Sequence, residues 1–303
     1  MNFTLNQLRI FVQIVEQKSI TRAAEKLYLT QPAVSIQLKN FQDQFEIPLT
    51  EVINKRLYVT DFGLEIAEAA KLILNEVNSI SYKRALFEGK LTGKLKISVV
   101  STGKYVIPYL LTDFLSKNPE VELELDVSNR GSVIKNLEEN QVDFVLMTRI
   151  PNHLNISSTK MFQNKLVLVG RKGSNEQYEN LKEDFFKQTR FIFREMGSAT
   201  RQSMENYFSE QKILVEKSLT LTSNEAVKQA VISGMGCSVL PLIGIKNEIS
   251  LGQLEIVKAP GLPIENAWYL VHLEEKKLLP AAQAFKSFLE LNLTKITQQH
   301  FDF

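Results

Sequence analysis

Apolar positions in the first forty-odd residues recur at three- and four-residue steps, broken by short polar turns. Leu8, Phe11 and Val15 mark one face of a first helix. A second, shorter helix starts near Thr21 and turns Ala23, Ala24 and Leu27 inward. Two adjacent alanines admit a close neighbour because their side chains end at Cβ. Tyr28 and Leu29 fall at a turn. Thr30 is placed to cap a third helix by accepting from a free backbone N–H, and Pro32 follows in its first turn, where no N–H is needed. Val34, Leu38 and Phe41 form the apolar face of this third helix, while Gln31, Ser35 and Lys39 recur at four-residue steps on another face. After Pro48-Leu49, the run Lys55-Arg56-Leu57-Tyr58-Val59-Thr60 alternates apolar and polar positions. It predicts a strand with Lys55 and Arg56 at its tip.

A long helix is predicted next, over residues 61–88. Ile66, Ala70, Ile73, Leu74, Val77, Ile80 and Phe87 follow one another at helical steps, over an axis of about 40 Å. Such a stripe calls for a partner. The same helix of a second subunit is one candidate, and the helix's own domain is the other. Gly89 to Gly93 ends the helix as a hinge.

From Lys94 the rhythm changes to short apolar runs alternating with helices. Leu95–Val100, Val121–Val127 and Phe144–Met147 read as strands, separated by helices at Tyr105–Lys117 and Val133–Glu139. In the second strand Val121, Leu123, Leu125 and Val127 point one way. A second set follows: strands at Leu166–Gly170, Phe191–Phe193, Val215–Leu221 and Cys237–Pro241, with helices at Ala199–Glu210 and Glu225–Ser233. The chain returns through Ala267–Leu273, and a helix at Ala281–Leu291 is expected to pack on the first set. This is the grammar of open, largely parallel α/β sheets. Two such lobes joined by crossover strands resemble the periplasmic-binding-protein fold. The fold class is therefore α/β with an all-α, winged helix-turn-helix N-terminus.

Composition narrows the picture. The 303 residues are 44% hydrophobic and 23% charged, which argues against general disorder. A net charge of +2 gives little support to nucleic-acid binding, so that reading rests on local placement. The single cysteine, Cys237, excludes an internal disulfide framework and reads as core packing rather than a redox sensor. With no apolar run near 18 residues and no hydrophobic leader, the expectation is a cytoplasmic protein that makes no use of a membrane. His153, His272 and His300 have no partners defined by spacing, so no catalytic residue, metal site or cofactor is expected.

The capped helix pair at 19–35 has the form of a DNA-binding helix-turn-helix. Gln31 and Ser35 are placed to reach base edges and Lys39 a phosphate. A plain amphipathic hairpin has the same spacing, and Lys55 and Arg56 taken alone are solvated charges. Together, however, Leu8-Arg9-Ile10-Phe11, Ser19-Ile20-Thr21-Arg22-Ala23-Ala24, Thr30-Gln31-Pro32-Ala33-Val34-Ser35 and Val59-Thr60-Asp61-Phe62-Gly63 resemble the winged helix of a LysR-type transcriptional regulator. The likeness continues through nearly the whole chain. It implies binding to double-stranded promoter DNA as an oligomer under control of a small molecule. It also implies that Gln31, Pro32 and Ser35 lie on the recognition helix and that Arg56 belongs to the wing. The partners expected are promoter DNA, a small organic anion and a second copy of the chain, with a homodimer through residues 61–88 and a homotetramer on DNA. The chain departs from the family pattern at Thr50 (Phe in the family), at Val52 (Arg) and at Gln42-Asp43 (mostly Leu-Glu), which weakens an expected hydrophobic anchor and removes a charge.

The expected layout is residues 1–60 for the DNA-binding domain, 61–92 for the dimerisation helix and hinge, and 93–303 for the effector-binding domain. Lobe I is placed at about 93–163 and 266–303, and lobe II at about 164–265. Strand ends and helix starts supply the candidate cleft: Ser101 and Thr102, Asn129 and Arg130, Thr148 and Arg149, the helix start at Ser198, Thr200 and Arg201, and Thr222 followed by Ser223 and Asn224. Each hydroxyl taken singly is better explained as a helix cap, and Arg201 is open to a structural role. The resemblance implies that Ser101, Thr102, Thr148, Ser198, Thr200 and Thr222 line the cleft. The convergence of hydroxyls and arginines points to an anionic organic effector. Ser101-Thr102-Gly103-Lys104-Tyr105, Asn129-Arg130 and Met147-Thr148-Arg149 further resemble regulators of carbon-fixation genes, implying a phosphorylated sugar or nucleotide cofactor as signal. The alternative is a two-lobed solute-binding module or enzyme-like protein with no DNA role.

Overall fold

A computed structural model of the chain describes residues 2–53, 56–87, 91–173 and 183–301. The chain divides into two compact units, Met1–Gly89 and Lys90–Phe303.

In the first unit, helices α1 (Leu5–Gln17), α2 (Ile20–Lys26) and α3 (Gln31–Gln42) enclose a core that contains Phe11, Ile14, Ala23, Ala24, Val34 and Phe41. Each start is capped. Thr4 and Gln7 form a reciprocal box at α1, Ser19 accepts from Arg22 N, and Thr30 accepts from Ala33 N. Strands β1 (Thr50–Ile53) and β2 (Arg56–Val59) pair antiparallel as the wing, with Thr50 opposite Val59. Helix α4 (Asp61–Phe87) leaves directly from the wing. Thr60 fixes that junction: its hydroxyl donates to the Pro48 carbonyl (2.7 Å) and accepts from Gly63 N (2.9 Å). Gly63 is required there, because a Cβ would lie 2.1 Å from the Leu49 carbonyl oxygen.

The expected single stripe on α4 is in fact two faces. Ala67 and Ala70 are buried in the first unit's core, and Ile66 and Leu74 pack against it. Leu72 (66% exposed), Ile73 and Ile80 (65% exposed) face outward. Helical three- and four-residue steps collect both faces because the combined arc is wide. The Phe87 side chain and Gly89 lie outside the described residues.

The second unit is built on a seven-stranded sheet of β3 (Gly93–Val100), β4 (Val121–Ser128), β5 (Phe144–Met147), β6 (Ile156–Arg171), β9 (Ser238–Pro241), β10 (Leu254–Ile256) and β11 (Ile264–Leu273). The order is β10-β6-β11-β5-β3-β4, with β9 also on β6. Strands β7 (Arg190–Arg194) and β8 (Lys217–Leu221) pair parallel and reach β9 through a bridge from Phe191 to Cys237. β3 lies parallel to both β4 and β5, as expected, whereas every pairing of β6 and β11 is antiparallel. These two long strands pass between the lobes, so their directions answer to the crossover rather than to a repeated βαβ unit. At the crossing, Asn164 donates to Asn266 (2.8 Å).

Helices α5 (Ile107–Lys117), α6 (Arg130–Glu138) and α11 (Pro280–His300) cover lobe I. α7 (Glu183–Gln188), α8 (Ala199–Glu210), α9 (Asn224–Ile232) and the short α10 (Lys246–Ser250) belong to lobe II. Four expectations shift. The helix expected from Tyr105 is a 3-10 turn over Ser101–Tyr105 followed by α5, which Pro108 opens. α6 begins at Arg130 rather than Val133 because Asn129 caps it, accepting from Ser132 N (3.0 Å). α11 runs on to His300, with Phe285 and Leu289 buried against lobe I. Leu125 and Val127, on the same side of the outer strand β4 as the buried Val121, are left uncovered and exposed.

Candidate DNA-reading helix and interlobe cleft

On α3 the inward face is Val34, Leu38 and Phe41, which leaves Gln31, Pro32 and Lys39 exposed and Ser35 half-buried. Arg56 is exposed at the start of β2, and Lys55 lies outside the described residues. Tyr28, at the turn before α3, takes a left-handed backbone (φ 55°) and is exposed. The unit therefore presents one capped helix and one hairpin with a cation at its tip. That combination can place base-reading side chains in a groove and a charge on the flanking phosphates.

In the second unit a buried arginine joins the two lobes. β3, β4 and β5 run parallel, so their C-terminal ends share one edge. Ser101 and Thr102 follow β3, Asn129 and Arg130 follow β4, and Thr148 and Arg149 follow β5. Across the cleft, Arg194 ends β7 and is 3% exposed. Its guanidinium donates to Ser101 Oγ (3.2 Å), to the Asn224 side-chain oxygen and to both oxygens of Glu195 (2.7 and 2.8 Å). The Ser101 bond ties one lobe to the other. A second tie lies nearby: Tyr105 of lobe I sits so close to Gly244 of lobe II that a Cβ there would meet the ring at 2.7 Å. Burial and the Glu225 carboxylate push the Tyr105 phenol above its ordinary range. Glu225 also pairs with Lys228 (3.0 Å), which reaches Glu248 (2.6 Å).

Two buried donors, one in each lobe, have no hydrogen-bond partner among the described residues: Arg130 Nε, beside Arg149, and Asn224 Nδ2, beside Arg194. Burial, and then the Arg149 charge beside it, hold the Arg130 guanidinium below its usual range. A buried donor without a partner costs about 1–3 kcal/mol, and two neighbouring arginines repel. An oxyanion within reach of Arg130 and Arg149 would relieve both penalties.

The remaining candidates separate. Asn129 and Ser198 cap α6 and α8, Ser198 accepting from Arg201 N (3.5 Å). Thr200 is buried beside Ser198, and Thr222 is exposed. Arg201 is held within its own lobe by Glu205 (2.7 Å), by the Arg194 carbonyl (2.8 Å) and by the face of Phe193. It lines a separate cavity of about 330 Å³ with Glu205 and Thr220. Another cavity, about 520 Å³, opens beside the crossover between Phe162, Trp268, Thr294 and Phe301, and no expected effector residue lines it. Arg194 was not among the expected residues. Its signal was available, since it is the polar residue ending an apolar strand, as Thr148 is after β5. Cys237 is buried in the lobe II core.

Residues 5–64 match the family model "Bacterial regulatory helix-turn-helix protein, lysR family", and residues 88–293 match "LysR substrate binding domain". The HTH-type transcriptional activator CmpR of Synechocystis sp. (strain ATCC 27184 / PCC 6803 / Kazusa) is 33% identical over 95% of each chain. The RuBisCO operon transcriptional regulator of Allochromatium vinosum is 36% identical over 95% of this chain and 96% of its own. The regulatory domain of Synechocystis PCC6803 CcmR, solved in complex with 2-PG, is 31% identical over 66% of this chain and 97% of that one, with a TM-score of 0.61. Full-length CbnR, solved with its target DNA, shares the fold at a TM-score of 0.62, with 18% identity over 95% of this chain and 99% of that one.

Proposed function

This chain belongs to the LysR family of DNA-binding transcriptional regulators, and we propose that a small phosphate- or carboxylate-bearing metabolite, held between its two lobes, sets its promoter occupancy. It is a regulator and not an enzyme, and the reading as a solute-binding module without a DNA role falls with the helix-turn-helix match. Gln31 and Ser35, with Pro32 beside them, are assigned to base edges, and Lys39, Lys55 and Arg56 to phosphates. Ser101, Thr102, Arg130, Thr148, Arg149, Arg194 and Asn224 are assigned to the anion. Ser198, Thr200 and Thr222 are kept as outer lining, and Arg201 is not. The observation that carries this reading is the pair of buried, unpartnered donors, Arg130 Nε and Asn224 Nδ2. The 2-PG held by the CcmR regulatory domain is an available probe of that chemistry.

The assembly assigned is a homodimer through α4, paired into a tetramer on promoter DNA in the cytoplasm. Among the described residues no helix is long and apolar enough to cross a membrane. A ligand shifts a two-state lobe equilibrium only if it binds the two states unequally. The test is therefore linked: 2-PG is titrated calorimetrically into the full-length protein, and footprinting and gel shift on DNA upstream of the protein's own gene are run with and without it. Binding accompanied by a changed footprint or affinity is expected. Binding that leaves footprint, affinity and transcription unchanged overturns the sensing role.

A further inference from the structure

The residue facing most directly away from the core on α3 is an isoleucine. Each helical residue advances about 100° around the axis, so Ile36, two residues from both Val34 and Leu38, lies about 160° from each by the shorter arc. Those two are buried, while Ile36 is 58% exposed. Pro32 lies one turn before it and Asn40 one turn after, both exposed, with Ser35 and Lys39 on one flank. The outward strip of the recognition helix is thus apolar at its centre and polar at its side.

A single exposed isoleucine on an ordinary surface needs no explanation. This one occupies the centre of the surface that a helix-turn-helix lays into the major groove. Ile36 makes no hydrogen bond there, so any donor or acceptor pressed against it is desolvated without compensation. Among the groups a base pair shows in the major groove, the thymine C5-methyl is the apolar one. We infer that Ile36, with Pro32 behind it, selects thymine at one position of each operator half-site by apolar contact with that methyl group. This rests on α3 being the DNA-reading helix, and it adds a determinant distinct from the polar contacts of Gln31 and Ser35.

Deoxyuridine differs from thymidine only by the missing methyl, so it isolates the contact. Operators are selected from a random duplex pool with full-length wild-type protein, then synthesised with each thymine replaced singly by uracil. Burying one methyl is worth a factor of about four in affinity. Wild type is expected to lose about fourfold at one thymine per half-site and little elsewhere. Ile36→Ala is expected to bind the thymine and uracil versions of that position equally. Alanine is the better helix former, and the site is exposed, so the variant's thermal melt is expected to match wild type. An equal thymine-to-uracil ratio in wild type and variant overturns the inference, as does an affinity loss by the variant that is the same on operator and random DNA. Failure of the wild type to enrich any sequence overturns it together with the assignment of α3. Enrichment without a uracil effect overturns the Ile36 contact alone.

Discussion

Thr50 stands where the family resemblance leads one to expect phenylalanine, and its partner is the other unusual residue nearby. The Gln42 side-chain oxygen accepts from both Thr50 N (3.1 Å) and the Thr50 hydroxyl (2.9 Å), and Thr50 is nearly buried. Read along the chain, each departure is a separate loss: a missing apolar anchor, and a glutamine in place of another residue. Eight positions apart, they form one polar clasp between the end of α3 and the wing. Nothing in the spacing announces it, since the contact exists only once the wing folds back. Gln42→Ala leaves two nearly buried donors without an acceptor, with an expected loss of about 1–3 kcal/mol. Amide hydrogen exchange of the first unit, measured in the full-length chain, reads this as lowered protection. Thr50→Val made in the Gln42→Ala background is expected to cost much less than Thr50→Val alone, because the bond is already gone. Strictly additive losses sink the clasp. The same measurement bears on Thr50→Phe, which is expected to destabilise the unit unless Gln42 is changed with it.

Helix α4 shows what periodicity can and cannot decide. Its existence was legible in the run from Ile66 to Ile80, and so was the need to cover apolar surface. Which positions the first unit itself covers was not legible, because that depends on where α1 lies. Ala67 and Ala70 are small because they meet that core closely, whereas Leu72 and Ile80 are large and uncovered. The two sets make opposite predictions for the same substitution. Ile80→Asp places a carboxylate in the outward face and is expected to yield a folded monomer. Light scattering across protein concentration reads the mass, and circular dichroism the fold. Ala70→Asp places the carboxylate inside the first unit and is expected to lose helical signal or melting temperature before it changes subunit number. If Ile80→Asp keeps the wild-type mass, the dimer contact lies elsewhere. The edge strand β4 offers a contrasting lesson, since its alternation sets Val121, Leu125 and Val127 on one side, yet only Val121 is buried there. Alternation reports two faces of a strand, but not whether a neighbour covers them.

Across the whole molecule, the two-lobed architecture was legible because parallel strands and capped helices leave strong local marks. The strand ends at Ser101, Arg130 and Thr148 follow from those marks. Arg194 and Arg201 show where the reading stops. Both sit near the mouth of lobe II, but Arg201 turns back onto Glu205 and Phe193 while Arg194 crosses to Ser101. Side-chain direction separated them, and sequence position did not. The bridge through Arg194 also sharpens the effector question. Asn224 gives its oxygen to Arg194 and leaves its amide nitrogen buried without a partner. Asn224→Asp keeps the shape and keeps an acceptor for Arg194, but it replaces the unpartnered donor with a negatively charged oxygen. The charge is neutralised in part by Arg194, so the ligand-free protein is expected to melt at or above the wild-type temperature. An anion in the cleft then meets repulsion where it met a donor. Affinity for 2-PG, by calorimetry, is expected to fall at least about tenfold, the scale of one lost charge-assisted hydrogen bond. DNA affinity without ligand is expected to stay near wild type, while the response to 2-PG disappears. Undiminished 2-PG binding by this variant removes Asn224 from the site. Reduced binding with an intact DNA response breaks the link between cleft occupancy and the promoter, because a coupling free energy acts equally in both directions.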